Sequence, residues 1–131
     1  MIRETDIELA LKAAIEAGNL AWPVAWPNQD LPGDKPHIVV EIVRVNRRDE
    51  TLAGESPISL GRLIATVVVA KGTSTKVANE KADAISELFP MARRIAVPGG
   101  EIVILKPADV MDGYPEGADW RVPVRISYEA S

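Results

Sequence analysis

Few residues in this chain are of a type and spacing that could do chemistry. The lone histidine, His37, follows Pro36 at the head of an apolar run. A catalytic base or a metal ligand needs partners, and no second ligand or acid stands at a matching distance in sequence. Asp109, Asp112, Glu116 and Asp119 gather carboxylates in one short segment. They lack the alternating Asp-x-Asp-x-Asp-Gly order of a calcium loop, so a solvated acidic loop is the better reading. Gly72-Thr73-Ser74-Thr75 could seat an anion on free N–H groups, but it has no Gly-Lys-Ser/Thr ending and helix capping accounts for it. Gly54-Glu55-Ser56-Pro57 misses the Gly-x-Ser-x-Gly elbow of a serine nucleophile. Arg44, Arg47 and Arg48 make a basic patch offset by Asp49, Glu50 and Glu55. Such a patch is a solvated hairpin or a charged contact with a partner subunit. The sequence therefore assigns no catalytic, cofactor-binding or metal-binding residue, and a structural or binding protein is favoured over an enzyme.

Composition bounds the rest. The 131 residues are 47% hydrophobic and 26% charged, as in an ordinary globular domain, and the whole of 1–131 is read as one domain. A domain of that size buries roughly 65–70% of the surface its unfolded chain exposes. The longest apolar run, around Ile64–Ala70, is far short of the ~20 residues of a membrane helix. The first residues lack the basic-then-apolar pattern of a secretory signal, so a cytoplasmic site of synthesis and work is expected. There is no cysteine, hence no disulfide and no thiolate. The net charge of −4 argues against a dedicated nucleic-acid binder, whose affinity would come from basic residues displacing counterions.

The elements that would position these groups follow from periodicity. Thr5-x-x-Glu8 has capping-box spacing, Ile7, Leu11, Ala14 and Ile15 recur at helical intervals, and Gly18-Asn19 stops the helix, giving 6–17. Trp22-Pro23 and Trp26-Pro27 follow as an extended strap, because each proline pushes its tryptophan away from helical geometry. Trp26 is expected to pack under the sheet, with Trp26→Ala costing roughly 3–5 kcal/mol. His37–Val45 reads as a strand apolar on two faces, and Leu60–Lys71 as a second, joined by a long polar hairpin loop, Asn46–Ser59. A helix over 75–89 carries Ala78, Ala82, Ile85 and Phe89 on its buried stripe. Strands Glu101–Lys106 and Trp120–Tyr128 flank the acidic loop, and Pro123 argues that the last strand is an edge or carries a bulge. The expected fold is α+β: a small, mostly antiparallel sheet of about four strands with two helices on one face, in the order α-β-β-α-β-β.

Taken together, the phrase Ala25-Trp26-Pro27-Asn28, Gly61 with the strand Arg62–Ala70, the Lys71-Gly72 turn into a helix with Ala78, Ala82-Asp83 and Phe89, and the closing Trp120-Arg121-Val122-Pro123-Val124-Arg125-Ile126-Ser127-Tyr128 resemble the tail terminator proteins of long-tailed (siphovirus-type) bacteriophages, prophages and gene transfer agents. The likeness covers nearly the whole chain, with Trp26, Pro27, Asn28, Trp120 and Tyr128 its most distinctive residues. It implies a virion protein, assembled in the bacterial cytoplasm, that forms a homo-hexameric ring on the tail tube. That ring would stop polymerisation of the tube protein and offer a docking surface to the head–tail connector or stopper. It implies no enzymatic activity, no cofactor, no membrane, and a channel through which DNA passes without specific binding.

Within that expectation the second apolar face of His37–Val45 and the strand Trp120–Tyr128 are candidate subunit contacts. Arg47, Arg48, Asp49, Glu50 and Glu55 are candidate contacts to a neighbouring subunit or the tube. The competing readings are another head–tail joining (neck) protein and, from a different class, a small cytosolic ligand-binding domain or enzyme built on the Asp109–Asp119 carboxylates. A nucleic-acid binder using the basic loop is the weakest.

Overall fold

The computed structural model describes residues 2–30, 34–49 and 57–131, with the side chains of 47–49 and of Pro57 left aside. Two helices, α1 (Glu4–Ala17) and α2 (Thr75–Leu88), pack on one face of a curled, mixed sheet. Its strands are β1 (Val24–Ala25), β2 (His37–Asp49), β3 (Pro57–Ala70), β4 (Arg94–Val97), β5 (Gly100–Ile104), β6 (Asp109–Val110), β7 (Tyr114–Glu116) and β8 (Asp119–Ala130). The lateral order is β1-β2-β3-β8-β5-β4, with β6 and β7 also paired to β8.

This corrects the expected sheet. The described residues form eight strands rather than about four, the order is α-β-β-β-α-β-β-β-β-β, and β1 joins β2 in parallel. The reason is physical. Two- and three-residue strands such as β1, β6 and β7 are too short to show a period-2 pattern, and they exist because a long neighbour offers backbone partners. Both helices do lie on one face, as expected.

The long strands form the scaffold. β3 pairs with β2 on one side, from His37↔Val68 to Asp49↔Pro57, and with β8 on the other, from Ser59↔Ala130 to Ala70↔Asp119. Alternate residues point to the helices: Ile38 and Val40, Leu63, Ala65 and Val67, and Val122, Val124 and Ile126 are all buried. Against them α1 lays Ile7, Leu11, Ala14 and Ile15, and α2 lays Ala78, Ala82 and Ile85, with Phe89 just beyond. The hairpin joining β2 and β3 is shorter than the expected Asn46–Ser59, since Asn46–Asp49 continue β2 and Pro57–Ser59 open β3. A bulge between Arg44 and Asn46 leaves Val45 without an opposite residue.

The expected helix start also shifts. Arg3 occupies the N-cap of α1 without a side-chain bond, and Thr5 is already helical, so the capping box does not form. Glu4 instead reaches the sheet, accepting a hydrogen bond from Ser59 at 3.1 Å and facing Arg44 at 3.5 Å. Ser74 does cap α2, its hydroxyl accepting from the Lys76 N–H at 3.3 Å.

Pro123 does not mark an edge: β8 lies between β3 and the β5–β6–β7 line. The Pro123 carbonyl accepts from the Met111 N–H at 2.9 Å, so its nitrogen faces the same neighbour. That nitrogen has no hydrogen to return, and the pairing breaks there, between Val110 and Tyr114. The proline is thus tolerated in a central strand because the strand beside it is interrupted. At that break Gly113 lies on the Trp120 indole, where a Cβ would approach within 2.5 Å.

Trp26-Pro27-Asn28 is a turn. The Gln29 N–H donates to the Trp26 carbonyl at 3.1 Å, Pro27 holds the first corner and Asn28 takes a positive φ of 61° at the second. That is the residue pattern of a type II turn. Trp26 itself is half-buried beside α1, with the Lys12 ammonium 5.3 Å from its ring centre, rather than under the sheet. Trp22 is held in the same way by Lys81, at 4.8 Å.

Two predictions follow from packing. Trp26→Ala should cost about 1–3 kcal/mol in urea unfolding, less than full core burial implies. Gly61 faces Tyr128 across β3 and β8, and a Cβ there would sit 2.3 Å from the phenol oxygen. Gly61→Ala should cost about 1–3 kcal/mol through overpacking. Adding Tyr128→Phe should recover part of that loss; equal unfolding midpoints with and without the hydroxyl would contradict the clash.

Candidate functional site

The face of the sheet away from the helices is built from the other half of each strand's alternation. Arg121, Pro123, Arg125, Ser127 and Glu129 of β8 lie on it, half-buried. Beside them are Arg62, Ile64, Thr66 and Val68 of β3, and His37, Val39, Glu41 and Val43 of β2. His37, Thr66 and Val68 are buried, and Val43 is 39% exposed.

The acidic segment belongs to this face. It is a broken strand whose carboxylates answer the arginines of β8, not a solvated loop. Asp109 stands opposite Arg125 in register and accepts from its guanidinium at 3.2 Å, with Lys106 at 2.8 Å. Arg121 contacts Glu116 at 3.1 Å and Asp119 at 3.3 Å, and Lys35 also pairs with Asp119. Hydrogen bonds from Lys106, then Arg125, hold the Asp109 carboxyl below its ordinary range; Lys35, then Arg121, do the same for Asp119. The Asp109–Arg125 and Glu116–Arg121 pairs are cross-strand and fix a strand lacking a continuous ladder. Asp112 lies in the break between β6 and β7, exposed.

His37 is buried at the head of β2. It is 4% exposed, and its Nδ1 lies 2.9 Å from the Asp34 carbonyl, to which it donates in the matching tautomer. Among the described residues, no three His, Asp or Glu side chains are placed to hold a metal ion. Tyr128, one of the most deeply buried side chains, has its phenol pKa pushed up to about 12, chiefly by burial and then by the Glu4 carboxylate. A neutral, buried phenol is a packing group.

The remaining features with the character of a site are two uncovered edges among the described strands. At one end β1 covers β2 only at Ile38 and Val39. Beyond Val39 no described strand pairs with that side of β2. Beside this open edge, between α1 and β2, runs a groove of about 240 Å³ lined by Leu9, Lys12, Trp26, Pro27, Val40 and Ile42. Leu9 on its rim is 58% exposed and Val45 on the bulge 51%. On the far side of β8, off the path that ends in β4, β6, β7 and the break between them present Val110, Met111 and Tyr114, each more than 40% exposed.

The structure brings few of the sequence-predicted contact residues together. Arg47, Arg48 and Asp49 fall on the far half of β2, at the open edge. Glu50, Glu55 and the Gly54–Ser56 phrase lie outside the described residues. Trp120–Tyr128 cannot offer an edge, since both sides of β8 are paired. The exposed apolar residues of β6 and β7 were hidden in what reads as a Gly- and Asp-rich loop. The signal for them was Pro123, which marks an interrupted neighbour as readily as an edge.

Comparison with known proteins gives two results. A family model described as phage tail terminator protein matches residues 6–128. Among solved structures, one that is 21% identical superposes with a TM-score of 0.77 over 97% of this chain and 92% of that one, a likeness of fold. No curated protein matches in sequence.

The ion pairs predict an acid-side signature. Both Asp109 and Asp119 are depressed when folded, so they stabilise the fold at pH values above the ordinary aspartate value, and that contribution is lost as pH falls through their folded values. The melting temperature should drop below about pH 4, and Asp109→Asn combined with Asp119→Asn should flatten that drop. An unchanged acid limb in the double variant would show that these pairs contribute nothing to stability.

Proposed function

The chain belongs to the phage tail terminator family, and from that premise we propose that it closes the tail tube of a siphovirus-type particle as a hexameric ring. The ring ends polymerisation of the tube and presents a docking surface to the head–tail connector. The family match over residues 6–128 carries this reading and makes the protein a structural component of a phage tail. The fold supports it in kind. A ring is closed by heterologous contacts, in which two different patches of each subunit meet. This sheet has two dissimilar uncovered edges among the described residues, one along β2, which carries a bulge, and the other along the interrupted β6–β7 line beside β8.

The chemistry of the molecule agrees. The titratable groups with shifted pKa values are explained by ion pairing or burial, so the polar network is spent on holding the sheet. DNA has to slide through the finished tail, and a basic channel would hold it through counterion release. Six subunits at −4 each carry −24, a balance that does not favour retention.

The experiment is genetic and structural. Inactivating the gene should yield filled heads without joined tails, together with tubes of uncontrolled length. Adding purified protein to tail tubes should cap them with a ring visible by electron microscopy. Tubes of normal length joined to heads in the mutant would exclude the terminator role.

A further inference from the structure

We propose that Asp112-Gly113, in the break between β6 and β7, is a site of spontaneous backbone isomerisation, at which the aspartate converts through a cyclic imide into isoaspartate.

The reaction needs three things of a protein, and they meet at this position. The first is a following residue that does not shield its own nitrogen. Of the chain's aspartates only Asp112 precedes a glycine, and none of its asparagines does. Without a Cβ the Gly113 amide is open to approach, whereas Val110 and Trp120 crowd the amides that follow Asp109 and Asp119. The second is a carboxyl free to turn back on the chain. Asp109 is tied to Lys106 and Arg125, and Asp119 to Lys35 and Arg121. Asp112 is exposed, and among the described residues no cation or hydrogen-bond donor holds it. The third is an amide released from secondary structure. The Met111 N–H still bonds the Pro123 carbonyl, and β7 resumes at Tyr114. Between them, no backbone carbonyl among the described residues accepts from the Gly113 N–H. Asp6 and Asp83, by contrast, lie inside α1 and α2, where the backbone is committed to helix.

The step balances within the chain and water. The Gly113 nitrogen attacks Cγ of Asp112, and the new C–N bond closes a five-membered imide. One carboxyl oxygen leaves as water, with the amide proton and the proton of the carboxylic acid form. Water then adds back at one of the two imide carbonyls and breaks a C–N bond. Opening at the side-chain carbonyl restores aspartate. Opening at the main-chain carbonyl leaves the chain running through Cβ and Cγ of residue 112, one atom longer and unchanged in mass.

The fold decides where that atom goes. β6 and β7 stay fastened to β8 by their ladders and by the Asp109–Arg125 and Glu116–Arg121 pairs, so the break takes it up. A groove of about 470 Å³ between α2 and the break, lined by Asn79, Asp83, Met111 and Trp120, gives it room. Gly113 lies so close to the Trp120 indole that a Cβ would come within 2.5 Å. Its displacement changes the surroundings of that ring and the spacing of the exposed Met111 and Tyr114, and leaves the rest of the sheet in place.

The test uses the full chain, incubated at neutral pH and physiological temperature and sampled over weeks. Isoaspartate is counted by enzymatic methylation of its carboxyl, and located by mapping with a protease that cleaves before aspartate but not before isoaspartate. Cleavage between Met111 and Asp112 should be lost progressively at unchanged intact mass, with the methyl label on that peptide and the other aspartates still cleaved. Hydroxylamine should trap the imide at the same residue. Asp112→Glu, whose imide would be a six-membered ring, should keep the wild-type circular dichroism and lose the label; Asp112→Asn should react faster, with ammonia leaving in place of water. The indole N–H resonance of Trp120 should shift in step with the label while the melting temperature holds. Label that accumulates only on the urea-unfolded chain, or evenly over all aspartates, would overturn the site. A Trp120 resonance unmoved in fully labelled protein would overturn the placement of the added atom.

Discussion

The pairing of β3 with β8 is the constraint on which the rest depends. The two strands run antiparallel from Ser59↔Ala130 to Ala70↔Asp119 without a register shift. Each contributes one face to the helices and one to the opposite side, so a slip of one residue would exchange Leu63, Val67, Val124 and Ile126 for Arg62, Thr66, Arg125 and Ser127. That exchange would bury two guanidinium groups without partners, at a cost of several kcal/mol each. The register is therefore held by charge as firmly as by apolar burial. Gly61 and Tyr128 add a local pin, because the ring of one occupies the space a side chain on the other would need.

From this ladder the two ends of the sheet acquire different characters. On one side β2 extends β3 almost to its full length, and only a two-residue strand covers its start. On the other side β8 is followed by a neighbour that Pro123 prevents from pairing continuously. The broken strand survives because Asp109 and Glu116 hold Arg125 and Arg121 across it. One proline thus divides the neighbour of β8 into two short strands.

Much of this was legible in the sequence. Both helices were visible from their apolar stripes, and β2, β3, β5 and β8 from alternation and β-branched content, because long amphipathic segments carry enough repeats for a period to show. The Thr5 capping box failed because Glu4 found better use on Ser59 and Arg44, a tertiary contact no local rule contains. Trp26 was placed too deep: its turn fixes the chain path, but Lys12 and the edge groove take its ring. The acidic segment was misread as a loop because its order comes from β8, not from its own residues.

By itself the sequence determined the two helices, the four longer strands β2, β3, β5 and β8, and the likeness to tail terminators that the family match bears out. Those properties reside in residue types and short-range periodicity. The tertiary structure decided which strands neighbour one another, that β8 is interior despite Pro123, that the carboxylates of 109–119 serve arginines, and that β2 keeps an open edge. Each of these depends on residues far apart in the chain meeting across a sheet. A strand's own sequence records which side of it is apolar, but not which strand, if any, lies beside it.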